Sequence, residues 1–326
     1  MGGLPSSSTG KWTQRGWLRT VLGVLVTGAA FWFLTVRLIR DWHRIPFGQL
    51  HFQPLLLVAS FVLLLVFHLP LYGYAWKLIL HALGAELPLG KSIAIFSVAQ
   101  IGKYAPGKVW FTLGRMSMAK DQGVPEDRTM VSVVVELAFS LLAATGLFGL
   151  AVLLIPGEQM PRAAYLLFLL APLSLVAVYP PILNRIIRFG LARLKRPLFE
   201  LRMSYPRILR ILALYVLDWA LQGACCFALI NSFYPMPLSK LPILLGGYAM
   251  SWMLGFLVLI APAGLGIREG VYTIILRTVL PEPIAIVSAL VTRVWMTVSE
   301  VLMAAVCLPF VARRRKNAEE AHTASS

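Results

Sequence analysis

Residues 97–115 read SVAQIGKYAPGKVWFTLGR and residues 259–270 read LIAPAGLGIREG; each is an apolar segment that breaks at proline and glycine and carries charge at the break. A backbone group without a hydrogen-bond partner is costly in hydrocarbon, so a break at membrane depth persists only where protein or a water-filled cavity satisfies it. A matched pair of interrupted segments, one in each half of the chain, is typical of a transporter's binding site. The two breaks therefore predict both a membrane fold and the position of its functional site.

The composition excludes a soluble globular domain. The chain has 326 residues, 58% of them hydrophobic, and a mean hydropathy of +0.76. Several apolar stretches reach the roughly 20 residues that a helix needs to cross a bilayer. The formal charge of +16 would indicate nucleic acid in a soluble protein, but in a membrane protein it indicates loops that face the anionic cytoplasmic leaflet. The five His and three Cys form no recognisable site, so we expect no metal, no other cofactor and no nucleic-acid partner.

The predicted fold is an all-α polytopic membrane protein with about six spanning helices and two re-entrant or broken helical hairpins. The predicted spans are 18–36, 53–76, 129–155, 163–183, 211–231 and 284–311, and the broken segments are 92–120 and 241–280. They form one transmembrane domain at 17–312, with halves at about 17–155 and 163–312. A disordered cytoplasmic N-terminus at 1–16 precedes this domain, and a basic cytoplasmic tail at 313–326 follows it.

The charges of the loops predict the orientation. The strongly basic loop 184–210 and both termini should be cytoplasmic, and the turn 156–162 should be outside. The basic loop after the first span would then lie outside, against the rule, but the loop 184–210 and both termini together carry more positive charge and decide the orientation. Segment 92–120 must then start and finish inside and turn near Pro106, whereas 241–280 must start and finish outside and turn near Pro262. The chain thus reads as span, span, hairpin, span, repeated once upside down. The alternative, in which 241–260 and 264–280 are two full spans, stays open.

Two motifs resemble the transmembrane domain of lysylphosphatidylglycerol synthases. The first is YAPGKVW at 104–110, followed by Gly114, Arg115 and Gly123, and the second is PAGLGIRE at 262–269, with Arg293 in the final span. The resemblance covers about residues 15 to 312. It implies a flippase-like membrane domain that moves or handles a phospholipid or a lipid-linked precursor across the cytoplasmic membrane. It does not imply aminoacyl transfer, and we expect the stand-alone form without the soluble synthase domain.

The candidate substrate-binding residues lie at the two breaks. They are Lys103, Pro106, Gly107, Lys108, Arg115, Pro262, Gly264, Gly266, Arg268 and Glu269. Exposed amides and helix N-termini favour anions, and the two lysines fit a lipid phosphate better than a neutral headgroup. Alternatively, the lysines extend to the cytoplasmic interface. Glu269 is placed to cap a helix, while Arg268 at depth needs an anion or a buried carboxylate as its partner.

Four further ionisable residues lie inside the predicted spans, and they form a predicted intramembrane charge network. They are Glu136, Asp218, Arg293 and Glu300. Because a charge in lipid is costly, all four should face the interior of the bundle. Arg293 and Glu300 are seven residues apart, so they lie on one face but about 10 Å apart along the axis. Glu136 with Arg293 is the predicted pair, either as a structural contact or as part of a proton or ion relay. His68 is interpreted as a core histidine.

Three functions are compatible with the sequence. The favoured function is translocation or handling of an anionic lipid or a polyprenyl-phosphate-linked precursor. The second is an accessory subunit of a separately encoded lipid-modifying enzyme. The third is an integral glycosyltransferase or acyltransferase, but the chain has neither an Asp-x-Asp pair nor a His-x4-Asp motif. We therefore expect no enzymatic activity, and a membrane lipid as the main partner.

Overall fold

The computed structural model describes residues 50–104, 109–154, 169–193, 203–258 and 264–323, and the single residues 32, 36, 39, 40 and 48. Within these ranges the chain is helical and forms no β-strand. The helices are α1 (Pro54–Ala82), α2 (Leu89–Gln100), α3 (Trp110–Lys120), α4 (Glu126–Leu153), α5 (Leu170–Ala177), α6 (Pro180–Arg193), α7 (Tyr205–Asn231), α8 (Leu241–Leu257), α9 (Ile267–Leu276) and α10 (Glu282–Thr323).

Five of the described segments are long and apolar enough to cross a membrane. They are α1, α4, α7, the stretch Leu238–Leu257 that contains α8, and Glu282–Val311 of α10. Proline lies in the first turn of α1, α7 and α8, where its missing N–H is not needed. The predicted spans 53–76, 129–155, 211–231 and 284–311 are confirmed. The predicted span 18–36 and the N-terminus 1–16 fall almost entirely outside the described residues.

The predicted span 163–183 is bent rather than straight. Its described part consists of α5 and α6, whose axes differ by 83°. Pro180 and Pro181 cause the bend, because a proline ring clashes with the preceding helical turn and offers no N–H to it. Counting the bent pair as one span gives six among the described residues, but this six includes Leu238–Leu257, which was predicted as part of a broken hairpin, and not the predicted span 18–36. α6 continues to Arg193, so part of the predicted basic loop 184–210 is helical.

The first break is a helical hairpin with two short arms. α2 has 12 residues and α3 has 11, so each is about 17–18 Å long and neither crosses a hydrocarbon core of about 30 Å. The arms contact each other. They close tightly at Gly102, where a Cβ atom would lie 2.5 Å from the backbone N of Phe111.

The second break has one long arm and one short arm. α9 has only 10 residues and is about 15 Å long, so it cannot cross the membrane. It folds back along α8, and a Cβ atom at Gly255 would lie 3.1 Å from the Cβ of Arg268. The alternative of two full spans in 241–280 is therefore not supported. The upside-down repeat of the two halves stays a prediction.

Both hairpins pack against the last helix. α10 contacts α2 and the 3-10 turn Ile101–Tyr104 of the first hairpin, and it contacts α9 of the second. α4, α7 and α8 contact one another and form the centre of the bundle. α10 is therefore the element that positions the breaks relative to each other. It also continues through 313–323, where the sequence predicted only a basic tail.

Candidate functional site

Two glycines shape the second break. Gly264 has φ +69° and Gly266 has φ +83°, a left-handed conformation that glycine adopts without steric cost. Gly266 is the N-cap of α9, and its N–H donates to Oε2 of Glu269 at 2.5 Å. Glu269 therefore caps the helix, as the sequence indicated. Its other carboxylate oxygen lies 3.3 Å from Nε of Arg293 on α10.

Arg268 lies on the first turn of α9 with an uncharged partner. Its guanidinium donates to the hydroxyl of Tyr248 on α8 and lies 4.6 Å from the centre of the same ring. No carboxylate of the described residues forms an ion pair with it, although Glu269 and Glu300 lie within electrostatic range. Arg268 is therefore less neutralised by the protein than Arg293, which faces the carboxylate of Glu269.

The 3-10 turn of the first hairpin binds α10 through hydrogen bonds. Nζ of Lys103 donates to Oε1 of Glu300 at 2.6 Å, and the hydroxyl of Tyr104 donates to Oε2 of the same carboxylate at 2.7 Å. The ring of Tyr104 also lies 5.7 Å from the guanidinium of Arg293. Tyr104 thus links the charges of the two hairpins.

We define the cation cluster as Lys103, Arg268, Arg293, Glu269 and Glu300. Both arginines lie within electrostatic range of Lys103, although the three cations come from two hairpins and α10. Three positive charges face two carboxylates, so the cluster carries an excess of one positive charge. Burying a charge that is not balanced costs several kcal/mol. An anion bound at the cluster would remove that imbalance.

A cavity opens at the cluster. It has a volume of about 10 Å³, roughly enough for one water molecule, and is lined by Tyr248, Arg268, Glu269, Tyr272, Ala289, Thr292 and Arg293. Sites for drug-sized ligands span about 300–1,000 Å³, so a headgroup could enter here only if the side chains around the cavity moved apart. The buried hydroxyls of Tyr272 and Thr292 face the thiol of Cys226 and bond to no oxygen or nitrogen of the described residues. They are available to a ligand that accepts hydrogen bonds.

Two predicted site residues pair elsewhere. Arg115 on α3 forms a buried ion pair with Glu136 on α4, so the predicted pair of Glu136 with Arg293 is wrong. The aromatic rings of Phe96, Trp76 and Phe111 surround Arg115 at 4.4, 5.0 and 5.9 Å. These contacts hold the first hairpin to α4 and the bundle, although Nε and Nη2 of Arg115 are buried without a hydrogen-bond partner among the described residues.

The last member of the predicted charge network also lies apart from the cluster. Asp218 on α7 is buried and contacts Nδ1 of His68 at 2.9 Å and Nε2 of Gln222 at 2.5 Å. The structure therefore divides the four intramembrane charges among three groups. Four candidate residues, Pro106, Gly107, Lys108 and Pro262, lie outside the described residues.

Three residues of the site were missed by the sequence reasoning. Tyr104 stands next to Lys103 inside the first motif, so its position was a usable signal. Tyr248 and Tyr272 lie in ordinary apolar helices, where nothing distinguishes them from core aromatics. Only the fold shows that they line the cavity.

The fold and the site define a class: a polytopic α-helical membrane protein in which two broken hairpins carry buried charge onto one long helix. The family profile of the lysylphosphatidylglycerol synthase TM region matches residues 20–304, and the chain belongs to that family. The match includes both hairpins and every residue of the cation cluster. It relates the protein to the handling of membrane lipids. No curated protein matches the chain closely enough to count as a relative.

Proposed function

We propose that this protein translocates an anionic lipid or a polyprenyl-phosphate-linked precursor across the cytoplasmic membrane, or presents it there. The observation that carries the proposal is the excess positive charge of the cation cluster, which both hairpins and α10 share. A neutral or cationic headgroup would leave this charge unbalanced. A phosphate diester, with one negative charge, balances it.

The donors in the cluster suit a phosphate. A guanidinium offers two parallel N–H donors that match two phosphate oxygens, whereas an ammonium acts as a point charge. Arg268 supplies such a fork beside the hydroxyls of Tyr248 and Tyr272. In this proposal only the headgroup enters between the hairpins, and the acyl or prenyl chains remain in the bilayer. In this proposal no covalent step occurs, and the protein acts on its lipid without a cofactor.

A vesicle assay tests the proposal. The purified full chain is reconstituted with a trace of tail-labelled fluorescent phosphatidylglycerol or phosphatidylcholine, and lipid movement is followed by quenching of the outer leaflet. We expect faster movement of the anionic lipid. Equal rates for both lipids would refute the selectivity for an anionic headgroup, and no movement of either would refute translocation of a phospholipid.

A charge-preserving substitution locates the activity. Arg268→Lys keeps the charge but loses the planar fork, so we expect at least a tenfold loss of rate, which corresponds to about 1.4 kcal/mol. The matched control is Arg277→Lys. Arg277 lies just after α9, is 45% exposed at its side chain and is 3.3 Å from Glu282, so this change should leave the rate unchanged. Wild-type transport by folded Arg268→Lys protein would show that Arg268 has only a structural role.

A further inference from the structure

A buried His–Asp pair lies at the middle of two spans. His68 is fourteen residues from each end of the helix Pro54–Ala82, and Asp218 is thirteen residues from each end of Tyr205–Asn231. At about 1.5 Å per residue, the pair is about 20 Å from either end of both helices. Nδ1 of His68 and Oδ1 of Asp218 are 2.9 Å apart, with side chains 9% and 1% exposed. The pair therefore lies at the middle of both helices.

The backbone at this place is irregular. Residues Leu64–His68 form a π-helical turn inside α1. Such turns are rare and occur mostly as single turns within α-helices, frequently at functional sites. The turn contacts both α7 and α10. It ends at His68, whose imidazole contacts Asp218 and the ring of Tyr72.

The pair can take up or release one proton at Nε2 while the contact between Nδ1 and Oδ1 is kept. With a neutral imidazole and an ionised carboxylate, Nδ1–H donates to Oδ1 and the pair carries one negative charge. One proton added at Nε2 gives an imidazolium beside the carboxylate and makes the pair neutral. No other bond forms or breaks. Because an unbalanced charge at mid-membrane is costly, the relative free energies of the two states depend strongly on the charges around the pair.

The titratable groups that interact with the pair come from α1, α7 and α10. Tyr72 follows His68 by one turn of α1, and its ring centre is 5.4 Å from that of the imidazole. Tyr215 and Cys225 of α7 interact electrostatically with Asp218, and Glu300 of α10 interacts with His68. Among them, Glu300 also belongs to the cation cluster, where it accepts hydrogen bonds from Lys103 and Tyr104.

We infer that the His68–Asp218 pair is a proton-binding site, coupled through Glu300 to the cation cluster. This inference rests on the proposed function for its ligand. A negative headgroup at the cluster favours the positive charge of an added proton at the pair, and linkage requires that the proton favours the headgroup equally. The protein therefore binds a proton and an anionic headgroup together. A pH difference across the membrane then gives the lipid movement a direction.

The first test needs no lipid. The full chain is labelled with ¹⁵N-histidine in detergent micelles, the ring signals of His68 are assigned by their loss in His68→Gln, and they are followed from pH 5 to 9. We expect a protonation change whose midpoint moves by more than one pH unit in Asp218→Asn and also in Glu300→Gln. The control Ser132→Ala removes a buried hydrogen bond from Trp76, 2.8 Å long, without touching a titratable group, and should not move the midpoint. A His68 ring that keeps one state over the whole range would overturn the inference, even if Asp218→Asn fails to fold.

The second test separates the inference from the proposed function. The probe is short-chain phosphatidylglycerol, whose diester does not titrate in this range, so any pH dependence of its affinity belongs to the protein. We expect at least fivefold tighter binding at pH 6 than at pH 8 in wild type, and a loss of that difference in His68→Gln. Binding that is independent of pH would overturn the inference while the proposed function stands. Absence of binding at any pH would refute the proposed function, and the histidine titration would still decide on the proton site.

Discussion

The ion pair between Arg115 and Glu136 gives the sharpest test of how the first hairpin is held. Arg115 is fully buried, Glu136 is 10% exposed at its side chain, and the pair joins α3 to α4. Glu136→Gln keeps the shape of the side chain but leaves the guanidinium buried beside a neutral amide. The change therefore probes the charge and not the packing.

The expected loss of stability follows from burial. Removing one partner of a buried ion pair costs about 3–5 kcal/mol, because the remaining charge is uncompensated. The rings of Phe96, Trp76 and Phe111 still surround the cation in the variant, so we take the lower end, about 3 kcal/mol. This value is about a 150-fold change in the ratio of folded to unfolded protein. The double variant Arg115→Met/Glu136→Leu should lose less than Glu136→Gln alone, because it leaves no charge behind.

The measurement is reversible unfolding in mixed detergent and dodecyl sulfate micelles, followed by the fluorescence of the nine tryptophans. Lys120 and Glu126 provide the matched control, since they also join the ends of α3 and α4 but are 67% and 49% exposed. Glu126→Gln should have no measurable effect. A loss of less than about 1 kcal/mol in Glu136→Gln, or a loss in the double variant at least as large as in Glu136→Gln, would refute the reasoning.

Three further predictions concern the hairpins and the topology. Gly102→Val should abolish lipid movement, since its Cβ would meet the backbone of Phe111 at 2.5 Å, whereas Gly90→Ala meets nothing within 4 Å and should move lipid like wild type. Gly264→Ala should lower the midpoint of thermal unfolding more than Gly123→Ala. Both glycines have positive φ, so an alanine at either position adds about 1–2 kcal/mol of strain. Only at Gly264 does the new Cβ also meet a backbone oxygen, at 2.8 Å. Glu158→Cys should react with a membrane-impermeant thiol reagent in intact cells and Glu200→Cys only after lysis, because the charges of the loops place residue 158 outside; the reverse pattern would invert the topology.

The spans and the breaks were predictable because each has a one-dimensional signal. Twenty apolar residues or a proline–glycine interruption can be read directly from the chain, and the described helices α1, α4, α7 and α10 lie where hydropathy placed them. The bend between α5 and α6 also had a signal, the pair Pro180–Pro181, but hydropathy averages over it. The short length of α9 also had a signal, because Pro281 and Pro283 follow Leu276 closely and a helix cannot continue through them.

The partners of the buried charges were not predictable. The reasoning that each needs a partner holds for Glu136, Asp218, Arg293 and Glu300 alike, but the choice of partner depends on which helices touch. Glu136 lies opposite α3, so its partner is Arg115. The prediction of Arg293 rested only on the corresponding places of the two residues in the halves of the chain, and not on a contact between their helices. Likewise, nothing in the sequence relates His68 to Asp218, which is 150 residues away.

The seven-residue spacing of Arg293 and Glu300 explains why α10 is suited to hold both breaks. The spacing excludes a direct ion pair between them, and each contacts a different hairpin: Glu300 binds Lys103 of the first, and Arg293 approaches Glu269 of the second. Two helical turns, about 10 Å, separate the attachments, and the polarity is opposite, with the carboxylate on α10 in one and on the hairpin in the other. If the protein translocates an anionic lipid as proposed, an anion that enters between them would compete with Glu269 for Arg293 and with Glu300 for Lys103. Both hairpins would then loosen from α10 together, as release of a headgroup towards either side would require.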